Sequence, residues 1–166
     1  MQSDFIMTES LGAAGESGEQ TVWDAVKRAF SGRNVLAYWR YPIFSTSGSS
    51  RKEPDILIAD QELGLIVIEV KSIRMDQLQR INGHAWHVGG HHTSTIQPYQ
   101  QAENQLFALL GYCDQEPLLR RAVAGRAIVA LPWVESGEWL ERGFHALPSC
   151  PPILFGDNLG RSDPRC

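Results

Sequence analysis

Two short apolar runs on either side of a turn, Ile56-Leu57-Ile58-Ala59 and Leu65-Ile66-Val67-Ile68, constrain this chain more than any other stretch of it. Each carries its charge at one end. Asp55, preceded by Pro54, opens the first run; Glu69 and Lys71 close the second, with Asp55 and Glu69 fourteen residues apart. Runs of this length read as strands, and strand side chains alternate between faces. Leu65, Val67, Glu69 and Lys71 therefore share one face, and Ile66, Ile68 and Val70 the other. Antiparallel pairing through the Asp60-to-Gly64 turn sets the start of the first strand beside the end of the second. Two carboxylates and one ammonium then meet at the edge of an apolar sheet. Such a cluster is costly to desolvate unless something neutralises it, and a divalent cation held by oxygen ligands is the usual neutraliser.

Composition narrows the classes around that hairpin. A chain of 166 residues with 43% hydrophobic and 20% charged residues is long and apolar enough to bury a real core as one domain. A net charge of -4 gives no general basic signal, so a nucleic-acid partner must be held by local charge or through a metal. The three cysteines, Cys113, Cys150 and Cys166, form no CxxC pair and no even disulfide framework. The opening Met-Gln-Ser-Asp-Phe-Ile-Met has no basic segment followed by a long apolar one, and no run approaches membrane-spanning length. A cytoplasmic protein without a membrane partner is expected.

Along the chain, residues 1–16 are small, polar and Gly-rich, which predicts a flexible arm. Ser17 to Gln20 fits a capping box, and Val22, Trp23, Val26, Ala29 and Phe30 recur at helical spacing, with Glu19 on the same inward stripe. A strand is expected over 34–44, followed by a Ser-rich loop that delivers Arg51 and Lys52 next to Asp55. Trp86 to Val88 suggests a short strand before the Gly89-Gly90 turn. Pro98 suits the first turn of a second helix, for which Gly111 is the expected stop. Short strands are expected over 127–133 and 152–155. One folded domain over 17–156 and a polar tail over 157–166 complete the division. This order of elements gives a mixed α/β fold, a small central sheet flanked by helices.

Together, Gly18-Glu19 opening the first helix, Glu53-Pro54-Asp55, Ile68-Glu69-Val70-Lys71-Ser72, Trp86 and Gln97-Pro98-Tyr99-Gln100-Gln101-Ala102 resemble the NERD, or nuclease-related, domain. That domain is a branch of the PD-(D/E)xK nucleases, which share the restriction-endonuclease-like core. Two positions depart from the family pattern: Gln97 stands where Asn usually precedes the proline, and the Asp55 strand follows Glu-Pro. The resemblance implies hydrolysis of phosphodiester bonds with Mg²⁺ or Mn²⁺, in DNA, with RNA left open. Asp55 and Glu69 would ligate the metal together with the backbone carbonyl of Val70 and waters. Lys71 would orient or deprotonate the attacking water, Glu19 would complete the shell through water, and Gln101 would position the phosphate or the lysine. Arg51 and Lys52 would contact phosphates without reading sequence. Domains of this kind are often fused to helicases or kinases, so a fused or associated helicase is a candidate partner.

Each element also has a plainer account. Glu-x-Lys occurs wherever a solvated strand end pairs opposite charges. An acid such as Glu19 in a first helical turn stabilises the helix dipole, and Gln101 can serve by bonding a backbone carbonyl. His84, His87, His91 and His92 crowd a turn, but with no cysteine or carboxylate nearby to complete a zinc set, exposed hairpin histidines are expected. The tryptophans sit in apolar patterns and are assigned to the core. Two rival readings therefore stand beside the nuclease: a non-cleaving nucleic-acid-binding module of a larger protein, and a structural protein-interaction domain in which the charged cluster is a salt bridge.

Overall fold

The computed structural model describes residues 2–8, 17–41, 43–44, 51–90 and 92–160, with 43–44 and 51–52 described for their backbone alone. Its strands are β1 (Ser3–Met7), β2 (Val35–Trp39), β3 (Ile43–Phe44), β4 (Arg51–Lys52), β5 (Ile56–Asp60), β6 (Gly64–Val70), β7 (Leu78–Asn82), β8 (Ala85–Val88), β9 (Ser94–Ile96), β10 (Gly125–Leu131) and β11 (Ile153–Phe155). Its α-helices are α1 (Ser17–Phe30), α2 (Pro98–Gln115) and α3 (Ser136–Glu141). A six-stranded mixed sheet in the order β1-β2-β5-β6-β10-β11 forms the centre, beside a three-stranded sheet β7-β8-β9 and the β3-β4 pair. The architecture is consistent with the restriction-endonuclease-like core expected from the sequence.

The β5-β6 hairpin is antiparallel, with Ile56 opposite Ile68 and Asp60 opposite Gly64. Its turn is fixed by Asp60, whose Oδ1 accepts from the N–H groups of Glu62 and Leu63, both at 2.9 Å. Arg33 clamps the same carboxylate, its Nε 2.7 Å from Oδ2 and its Nη2 2.9 Å from Oδ1. These bonds hold the Asp60 carboxyl well below the usual carboxylate range, the Arg33 pair being the largest cause. Gly64 is required next to it: φ is +85°, and a Cβ would lie 2.3 Å from the Ala124 carbonyl oxygen.

Apolar alternation then assigns the two faces. Ile56, Ile58, Ile66, Ile68 and Val70 pack with Val35, Ala37 and Trp39 beneath Val22, Trp23 and Val26 of α1. Leu57, Val67 and Ala127 lie beneath Ala102 and Leu106 of α2. A third cluster, around Trp86, Leu131, Trp139 and Phe144, seats the three-stranded sheet on α3 and the end of β10. Of the tryptophans assigned to the core, Trp23, Trp39, Trp86 and Trp139 are buried, each exposing 3% or less, while Trp133 is half-buried.

Several boundaries differ from expectation. Within the expected arm, Ser3–Met7 is strand β1, paired parallel to β2 from Ser3↔Val35 to Met7↔Trp39. Phe5, half-buried, meets Trp23 edge-on with centroids 6.0 Å apart, which packs the Phe-Ile-Met end of this short segment against α1. Residues 9–16 lie outside the described ones. Ser17 is already helical and Gln20 donates to Asp24 Oδ1 at 3.0 Å, so Gln20 does not act as the capping-box partner; Ala29 is exposed. The strand expected over 34–44 stops at Trp39, because Arg40 turns left-handed with φ of 60°. Gly111 does not end α2, which continues to Gln115; one glycine costs a helix about 1 kcal/mol, too little to break it. In the expected tail, residues 156–159 form a 3-10 turn whose Leu159 is buried against the α1 cluster, while 161–166 lie outside the described residues.

Candidate active site

The hairpin register extends one step beyond β5 and sets Asp55 opposite Glu69 on the α2 face. Two backbone bonds hold Asp55 there: its Oδ2 accepts from the Val70 N–H at 2.8 Å, and its carbonyl accepts from the Arg40 N–H at 2.9 Å. Glu69 is 2% exposed. Its Oε1 pairs with Lys71 Nζ at 2.9 Å, whereas its Oε2 is buried with no hydrogen-bond partner. Lys71 Nζ also donates to Gln101 Oε1 at 3.3 Å. Side chains two apart on a strand share a face, which is why Glu69 and Lys71 meet while Val70 packs into the opposite layer.

Glu19 arrives from the other layer, in the first turn of α1. It is brought close by Gly18, at which a Cβ would stand 2.2 Å from Ser72 Oγ and 3.1 Å from Pro132 Cγ. Only a residue without a side chain lets the helix start sit directly against the end of β6. Glu19 hydrogen-bonds with Asp55, and its Oε2 accepts from Arg40 Nη2 at 2.7 Å. The structure thus brings together Glu19, Asp55, Glu69, Lys71 and Gln101. Arg51 and Lys52 lie on β4, and their side chains fall outside the described residues.

Two further residues belong to this cluster and were not singled out from the sequence. Arg40 follows β2 in no recognisable motif, and its left-handed backbone is what turns the guanidinium toward Glu19. Gln105 is 3% exposed, donates from Nε2 to the Glu53 carbonyl at 3.3 Å, and leaves a buried Oε1 without a partner. Its signal was legible: one turn beyond Gln101, it interrupts the apolar stripe of Ala102 and Leu106 with an amide.

The electrostatics follow from burial. The Asp55 carboxyl is pushed up to about 8, first by desolvation, then by Glu69 across the hairpin, with Glu19 adding and the Val70 N–H opposing. Burial also raises Glu69, against the pull of Lys71 and a smaller one from Gln105. Glu19 and Lys71 are each in an ion pair, and burial of Asp55 and Glu69 side by side disfavours charge on both at once.

These residues fit a hard divalent cation. The donors are carboxylate oxygens, one of them buried without a hydrogen-bond partner, and burial raises both the Asp55 and Glu69 carboxyls, so a cation between them would offset the cost of two buried charges. Among the described residues, no group of three His, Cys, Asp or Glu side chains is arranged to hold a metal ion. A cation here would take two carboxylates and complete its shell from backbone and water, the manner Mg²⁺ prefers. That statement covers His84, His87 and His92 as well; His87 Nδ1 lies 3.4 Å from Thr95 Oγ1, His84 stacks on Tyr99 at 6.5 Å, and His91 is outside the described residues. No helix among the described residues is long and apolar enough to cross a membrane.

The family model described as the nuclease-related domain covers residues 14–131, which includes every residue of the cluster. No curated protein and no solved structure matches the chain.

Proposed function

The chain belongs to the nuclease-related domain family, NERD, and from that premise we propose that it hydrolyses phosphodiester bonds in DNA with Mg²⁺ or Mn²⁺. The observation that carries this reading is the buried, partnerless Oε2 of Glu69 across the hairpin from Asp55, whose carboxyl is raised first by burial and then by Glu69. Leaving a buried carboxylate oxygen unpaired costs about 1–3 kcal/mol, and natural proteins retain such a cost where function uses it. When bound, the cation supplies a polarised water and neutralises charge on the phosphoryl oxygens.

The chain's own residues do the rest. Asp55 and Glu69 would hold the ion, with the Val70 carbonyl and waters completing its shell. Lys71, anchored by Glu69 and by Gln101, presents its ammonium beside the reacting phosphate, where it orients the water and stabilises developing negative charge. Glu19, aimed by Arg40, accepts a hydrogen bond from a water of the shell. Gln101 holds the lysine in place so that little reorganisation is needed as charge builds up.

The test is incubation of the purified protein with supercoiled DNA in Mg²⁺, Mn²⁺ or EDTA. Nicking with either metal and none with EDTA is expected, and Asp55→Ala, Glu69→Ala and Lys71→Ala should each slow it by at least about 10²-fold. Equal nicking by parent and all three variants would assign the activity to a contaminant. The 2.9 Å pair of Lys71 with Glu69 favours a second reading, a structural protein-interaction domain in which the charged cluster is a salt bridge. That reading predicts no metal-dependent change at all.

A further inference from the structure

One face of α2 carries an unbroken set of amides. Gln97, Gln100, Gln101 and Asn104 recur at helical spacing, all exposed, with no charge among them. They form one wall of a groove of about 550 Å³ whose other wall is Thr95 and Ile96 of β9, and Lys71 stands within it. The groove therefore opens onto the ammonium that the proposed function places at the reacting phosphate.

It also continues onto a second surface. Across the three-stranded sheet, Arg80 pairs with His87 and His87 with Thr95, which puts those side chains in one row on one face. The alternate row, Ile81, Trp86 and Ile96, packs into the core, so the Arg80 row faces solvent. Thr95 belongs to both the row and the groove.

Resting on the nuclease reading, we infer that the groove seats an unpaired stretch of the nucleic-acid strand beside the scissile phosphate. Gln97, Gln100 and Asn104 take base edges there, and Arg80 takes a phosphate farther along the sheet. Amides offer donors and acceptors together, which matches base edges and gives phosphates no counter-charge. A chain of net charge -4 cannot hold nucleic acid by general attraction, so hydrogen bonding at a short built site replaces it. An unpaired strand offers the amides its Watson–Crick edges, which pairing occupies in a duplex.

The test is binding of a labelled single-stranded DNA oligonucleotide and of the matching duplex, by fluorescence anisotropy in EDTA, with cleavage by the same samples in Mn²⁺ scored separately. The single strand should bind more tightly than the duplex. The double variant Gln100→Ala, Asn104→Ala should weaken single-strand binding by about 10-fold and leave the salt slope unchanged. Arg80→Ala should weaken it and make the slope shallower by about 0.7. Both variants are at exposed positions, and their melting curves should overlay that of the parent. A parent that cuts DNA while both variants bind as it does would overturn the groove inference and leave the nuclease reading standing. Amide-dependent binding without cleavage in Mn²⁺ would do the opposite. A duplex bound better than the single strand would overturn the inference outright.

Discussion

Asp55→Asn in metal-free protein should grow more stabilising, relative to the parent, as pH rises. The Asp55 carboxyl is raised from its ordinary value of 3.8 to about 8, so the folded protein holds this proton more tightly than the unfolded chain does. The stability it contributes is therefore complete below about pH 4 and is lost as pH climbs through about 8. About three of those units lie between pH 5 and pH 8, a ceiling of about 4 kcal/mol at 1.36 kcal/mol per unit. Asp55 is only partly buried and shares the proton with its neighbours, which cuts the expected gain to about 1–2 kcal/mol. For a chain of this length that is a relative rise in melting temperature of roughly 3–6 °C. Asparagine keeps an acceptor for the Val70 N–H, so the change isolates the charge. The assay is thermal melting by circular dichroism in EDTA at pH 5 and pH 9, for parent and variant. A difference that stays flat between the two pH values, or a variant less stable than the parent at both, would refute the reasoning and make Asp55 a structural acceptor.

Two other substitutions probe how the layers meet. Gly18→Ala should lower stability by about 1–3 kcal/mol in denaturant unfolding although alanine is the better helix former, because its Cβ meets Ser72 Oγ; Ser72→Ala should recover part of the loss, and a single variant more stable than the parent would contradict the packing. Arg40→Met should reduce kcat by roughly 10-fold or more with little change in KM for DNA, since it frees Glu19 from its 2.7 Å partner, and Arg40→Lys should restore part of it; equal losses in both variants, or a change confined to KM, would remove Arg40 from the positioning of Glu19.

The hairpin and its charged ends were legible because everything that defines them is local. A short turn joins the strands, the period of two assigns the faces, and the placement of Asp55, Glu69 and Lys71 follows. Glu19 and Gln101 were legible through helical spacing and family order. What escaped is non-local. Ser3–Met7 is too short for its Phe5 and Ile6 to signal a strand beside the small, Gly-rich residues that follow, and it is ordered by the edge of β2 and by Phe5 meeting Trp23 across an intervening helix. Leu159 looks like a polar tail residue until α1 offers it a cover, with Arg28 Nη2 donating to its carbonyl at 2.8 Å. Arg40 escaped because a left-handed residue outside glycine leaves no mark in composition, and the ion pair it makes spans twenty-one positions.

The most direct test of the central claim, that Asp55 and Glu69 build a cation site and Lys71 acts beside it, is Mn²⁺ binding by calorimetry run alongside the nicking assay. Lys71→Met keeps the aliphatic stem and deletes the charge. It should bind Mn²⁺ within a few-fold of the parent and nick little or no DNA, whereas Asp55→Ala should lose both properties. Nicking by Lys71→Met at the parental rate, or Mn²⁺ binding undiminished in Asp55→Ala, would contradict the account.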